Sequence, residues 1–78
     1  MALTVVQINH EIGKQVGYFR AKGFKLEWTL KGGYLHRCDT QIIYTKGSWQ
    51  VFEIVDKIVQ SKPVSKHHSL YMALKSVN

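Results

Sequence analysis

An α+β fold is predicted for this chain, ordered as an N-terminal helix, a three-stranded antiparallel meander and a C-terminal helix (α-β-β-β-α). Three observations predict it. Apolar residues recur at spacings of three and four over residues 4–22; apolar and polar residues alternate from Phe24 to Val55; and a second helical stripe closes the chain at Leu70, Ala73, Leu74 and Val77. Two glycine turns, Lys31-Gly32-Gly33 and Lys46-Gly47-Ser48, divide the alternating stretch into strands.

The first helix rests on Val5, Ile8, Ile12, Val16 and Phe19, which share one side of a 3.6-residue period, and Gly23 is a natural stop. Gly13 and Gly17 fall inside it, each costing about 1 kcal/mol relative to alanine, and so mark either close packing or a weak point. Asn9 is the expected place for any break.

The strands are placed by treating each glycine turn as a three-residue loop. The first then sets Leu30 against Tyr34, Trp28 against His36, Leu26 against Cys38 and Phe24 against Thr40 on an inner face. The outer face of that register pairs Glu27 with Arg37 and Lys25 with Asp39. The second loop sets Ile42 against Phe52 and Thr40 against Ile54 inside. It leaves Ile43, Val51, Trp49 and Val55 as an apolar group outside, where alternation calls for polar residues. After the sheet, Ile54, Val55, Ile58 and Val59 suggest a helical turn to about Gln60, ended by Pro63, and Ser65 is the expected N-cap of a last helix over 66–76.

Seventy-eight residues form one domain, 1–78, because so short a chain cannot fill two cores. Stability at this size is modest, and a homodimer is one way to supplement it. The single cysteine, Cys38, forms no internal disulfide and reads as a core residue; with no leader-like start and no long apolar run, a cytoplasmic protein without a membrane partner is expected. No closely spaced Cys/His set, phosphate loop or carboxylate pair is present, so no metal, no cofactor and no catalytic residue is expected.

Eleven Lys and Arg against five Asp and Glu give a net charge of +6, and from Lys57 onward there are four lysines, two histidines and no acidic side chain. Such a balance attracts polyanions, of which nucleic acid, RNA or DNA, is the commonest. Phosphate contacts are expected from Lys46, Lys57, Lys62, Lys66, His67, His68 and Lys75, with the two histidines in the first turn of the last helix, where an anion is favoured. As adjacent residues the histidines point about 100° apart on a helix and do not share a metal ion. Tyr18, Tyr34, Tyr44, Trp49 and Tyr71 are weak candidates for base stacking. A different class of function would use the apolar group Ile43, Trp49, Val51 and Val55 as the docking surface of a small regulatory or inhibitor protein. A third would make the chain a small ribonuclease toxin with His36 as general base.

The order helix, three-stranded meander, helix resembles the double-stranded-RNA-binding domain over most of the chain. That family opens its second helix with a lysine-rich run, where this chain has Ser65-Lys66-His67-His68-Ser69. The layout is also similar to that of HicA-type messenger-RNA-cleaving toxins, whose catalytic histidine lies near a Gly-Ser-His sequence. Here Gly33-Tyr34-Leu35-His36 has a different spacing and no serine. The layout is shared and the motifs are not, so no family is assigned and function does not transfer on this ground.

Overall fold

The computed structural model, which describes residues 2–78, is an α+β protein in which helices pack on one face of an antiparallel sheet. The elements run α1 (Val5–Lys14), α2 (Val16–Ala21), β1 (Lys25–Thr29), β2 (Gly32–Arg37), β3 (Thr40–Thr45), β4 (Ser48–Val55), β5 (Ile58–Val59), β6 (Ser65–His67) and α3 (Leu70–Lys75). The sheet therefore has six strands rather than three, ordered β1-β2-β3-β4-β5, with β6 also paired to β4.

Thr4 starts α1 with a capping box: its Oγ1 accepts from the Gln7 amide at 3.2 Å while Gln7 Oε1 accepts from the Thr4 amide at 2.9 Å. The helix breaks at Gln15, whose amide bonds Ile12 rather than the residue four before it, and not at Asn9 as expected. The same apolar stripe continues through the break, so Ile8, Ile12 and Phe19 all reach the core. At the end of α2 the Gly23 amide bonds the Arg20 carbonyl and the Phe24 amide bonds the Phe19 carbonyl. With Gly23 at φ +84° this is a Schellman stop.

Every hairpin connection is one of two residues, and this overturns the expected strand faces. The β1–β2 turn is Leu30-Lys31, so Leu26 faces Leu35 and Trp28 faces Gly33. The β3–β4 turn is Lys46-Gly47, with φ +52° and +82°, so Tyr44 faces Trp49 and Ile42 faces Val51. Both central residues of a two-residue turn with positive φ give the strands the twist they prefer. Each registry differs from the expected one by an odd number of residues, which turns the partner strand's side chains to the opposite face. Leu35, Trp49 and Val51 consequently lie inside, while His36, Phe52 and Ile54 lie outside.

An unforeseen turn at Cys38-Asp39 separates β2 from β3, which leaves Cys38 exposed at a hairpin tip rather than in the core. After β4 the chain turns back at Asp56-Lys57, both at positive φ (52° and 67°), and forms β5 where a helical turn was expected. β5 and β6 line the same edge of β4 in succession, interrupted where Ser61-Lys62-Pro63 bulges out. The last helix begins at Leu70 with Ser69 as its N-cap, not at residue 66 with Ser65. Its stripe is as expected, with Leu70, Ala73 and Leu74 fully buried.

A single core joins Ile8, Ile12 and Phe19 of the first helices, Leu35, Ile42, Trp49 and Val51 of the sheet and the α3 stripe. The close approach of helix and sheet occurs at Gly32 and Gly33, not at Gly13 or Gly17, which have nothing near them. A side chain at Gly33 would meet Leu26 Cδ1 at 2.9 Å and Ile12 Cδ1 at 3.0 Å, and its amide donates to Asn9 Oδ1 at 3.0 Å. Two glycines thus let α1 lie directly on β2.

Candidate functional site

Because all the core-forming helix residues meet one face of the sheet, the other face has no helix over it. The strand registers fix what it presents. One row runs Lys25, His36, Gln41, Phe52 across four strands; a second runs Ile43, Gln50, Lys66 across β3, β4 and β6. Tyr34 lies two residues before His36 on the same strand face, its ring 6.1 Å from the imidazole. Phe52, Tyr34, His36, Gln41 and Ile43 are half-buried, as residues on an open sheet are when they shield one another. Gln50 alone is buried there, its amide nitrogen donating to the Thr45 carbonyl and to Ser48 Oγ.

The charges of this face are simple. Lys25 on β1 and Lys66 on β6 are exposed cations at opposite edges of the sheet. Glu27 is the one strand carboxylate on this side, and its Oε1 lies 3.2 Å from His36 Nε2. The second ion pair among the described residues, Arg37 with Asp39 at 2.6 Å, belongs to the inner side. There Arg37 also donates to the Lys22 carbonyl at 2.8 Å and covers the Phe24 ring at 4.7 Å. The Arg37 hydrogen bond, helped by one from the Thr40 hydroxyl, holds the Asp39 carboxyl below its ordinary value.

The basic residues singled out from the sequence are exposed, apart from His67, but they do not form one surface. Lys46 and Lys57 occupy the turns at opposite ends of β4, whose eight residues span about 26 Å. Lys62 lies in the bulge and Lys66 on β6, so these two share the interrupted edge strand. Lys75 is on α3, on the helix side of the molecule. His67 is half-buried on the inner side across from Trp49, its Nε2 2.9 Å from Ser65 Oγ, and His68 is exposed in the bend that follows. Both histidines precede the six-residue α3, so the expected phosphate contact within a helical first turn does not exist.

The apolar group expected on the outer face is likewise divided. Trp49 is fully buried and Val51 is 3 % exposed, because the true register turns both toward the helices. Ile43 remains on the open face, and Val55 belongs to the β4–β5 hairpin, which extends past the last β3 pair at Glu53. That hairpin and the following loop expose Val55, Ile58, Val59 and Val64. A groove of about 630 Å³ between the end of α3 and β4 is lined by side chains of both charge signs, Arg37, Asp39 and Glu53 among them. Among the described residues no group of three His, Cys, Asp or Glu side chains is placed to hold a metal ion. Nor is any helix of them long and apolar enough to cross a membrane.

What the sequence reading missed is the row through His36, Gln41 and Phe52. Its signal was present in the alternation but depended on turn length, which set the wrong residues side by side. No family model, curated protein or solved structure matches this chain. The open face and its charges therefore carry the functional reading.

Proposed function

We propose that this protein binds nucleic acid, chiefly through phosphates, at the helix-free face of its sheet and the edge strand beside it. The observation that carries the reading is the placement of exposed lysines at both edges of the open face, Lys25 on one side and Lys62 with Lys66 on the other, none of them in an ion pair among the described residues, in a chain of net charge +6. A polyanion laid across the sheet meets Lys25 at one border and Lys62 with Lys66 at the other, while the acidic strand residue of this face, Glu27, stands on β1 two residues from Lys25 and is hydrogen-bonded to His36. Lys46, Lys57 and Lys75 raise the long-range attraction without contacting the same strand of phosphates. No covalent chemistry is part of this function.

Each phosphate contact releases condensed counterions, so the dissociation constant rises steeply with salt. A salt titration with labelled RNA and DNA oligonucleotides tests this. The expected result is a linear log–log dependence whose slope falls by about two in the Lys25→Gln, Lys66→Gln double variant. Absence of binding at low salt, or an affinity independent of salt, overturns the proposal.

The exposed β4–β5 hairpin favours a second reading, docking on a protein partner, of which a second copy of this chain is the simplest case. Ile58→Asp then disrupts the complex, measured by sedimentation, while Lys66→Gln leaves it intact. Nucleic-acid binding gives the opposite ranking.

A further inference from the structure

The geometry points to single-stranded nucleic acid as the ligand, held with unpaired bases stacked on Tyr34, His36 and Phe52. This rests on the reading of the open face as a nucleic-acid surface, and names which form of nucleic acid that surface takes. The three rings share one side of the sheet, and no helix covers them. Tyr34 and His36 form one pair of π-faces on β2; Phe52 lies two strands away, at about twice the inter-strand spacing, or about 10 Å. Gln41 lies between His36 and Phe52 in the same row and supplies an amide donor and acceptor for a base edge. Lys25 and Lys66 at the two borders take the backbone.

In a duplex the faces of the bases are covered by their neighbours in the stack, so rings on a sheet face have nothing to stack on. In a single strand the faces are available, and aromatic stacking is tolerant of sequence because every base has one. The alternative of a duplex entered by a two-stranded ribbon has poor chemistry here. The β4–β5 ribbon has Asp56 and Lys57 at its turn, whose charges offset one another, and is flanked by Val55 and Ile58, which offer a groove apolar surface instead of donors.

The test uses the full chain with fluorescein-labelled 12-nucleotide single-stranded RNA and DNA, the matching duplexes, and heparin as a stack-free polyanion. Single strands are expected to bind at least tenfold more tightly than duplexes. Tyr34→Leu and Phe52→Leu, which keep apolar bulk and remove the π-face, are each expected to weaken single-strand binding about tenfold while leaving heparin binding unchanged. Photocross-linking of a 5-bromouracil-substituted strand to the unsubstituted protein is expected to label peptides containing Tyr34 or Phe52. Equal affinity for single strands and duplexes, unaltered binding by folded leucine variants, or cross-links confined to the helices overturns this inference while the phosphate reading stands. Loss of all polyanion binding at low salt overturns both.

Discussion

Arg37 joins three parts of the molecule through one side chain, bonding the Lys22 carbonyl at the end of α2, pairing with Asp39 in the β2–β3 turn and covering Phe24. Arg37→Ala is expected to cost about 1–3 kcal/mol, read from the denaturant midpoint, and Arg37→Lys to recover little of it, since an ammonium cannot reproduce the planar fork. The partner behaves differently because it is 62 % exposed. The folded-state pKa of Asp39 is depressed below 3.8, so its contribution is present above that value and lost as pH falls through the folded value. For so exposed a group the effect is under about 1 kcal/mol. Wild type and Asp39→Asn are expected to differ slightly in unfolding midpoint at neutral pH and to converge in acid. Trp49 tests the register itself. Its indole N–H has no acceptor among the described residues, and its ring is fully buried beside Tyr44 at 5.4 Å. Trp49→Ala is expected to lose about 3–5 kcal/mol and Trp49→Phe much less, since no acceptor is left unpaired. A Trp49→Ala variant as stable as wild type would contradict the inner placement of this residue.

At the scale of elements, tight turns govern the outcome. Lys46-Gly47 uses a glycine where φ is +82°, whereas Asp56-Lys57 places a lysine at φ +67°, a conformation that costs a side chain about 1 kcal/mol. Replacing Asp56-Lys57 by Asn-Gly is therefore expected to raise the thermal midpoint by a few degrees. A lower midpoint would show that the hairpin holds a different turn. Gly33 has the opposite constraint, because α1 lies against it. Gly33→Val would force Leu26 and Ile12 apart and is expected to destabilise by more than about 1 kcal/mol. The same device that seats the helix on the inner side leaves the outer side of β2, with Tyr34 and His36, free.

The whole molecule is two layers around one core, helices on one side and an open sheet on the other. Its excess of +6 charges repels itself in the folded state more than in the expanded one. Raising salt from low to physiological concentration is expected to increase the unfolding midpoint, even as it weakens the proposed nucleic-acid binding. Opposite responses of stability and affinity to the same variable would separate global charge repulsion from contacts at the site; parallel responses would argue that binding reports only on folding.

Local physics was legible in the chain. The stripes of α1, α2 and α3, the stop at Gly23, the strand-rich centre and the basic balance follow from spacing and composition, because a helix face or a net charge needs no distant partner to be defined. The identity of the open face did not follow. A three-residue loop at Lys31-Gly32-Gly33 suited local charge pairing between Glu27 and Arg37, yet Arg37 instead bonds Lys22 and Asp39 on the inner side. Trp49 resembled a surface anchor until the inner register and Tyr44 enclosed it, and of the lysines of the C-terminal third Lys62 and Lys66 share the interrupted edge strand whereas Lys75 stands on α3, on the helix side. The amino-acid order determined the helical stripes, the strand-rich centre and how much charge the molecule carries, whereas β5 and β6 stand where helix was expected. The tertiary structure alone decided which side of each strand meets water, since one residue of turn length reverses that choice and only packing against the helices selects between the two.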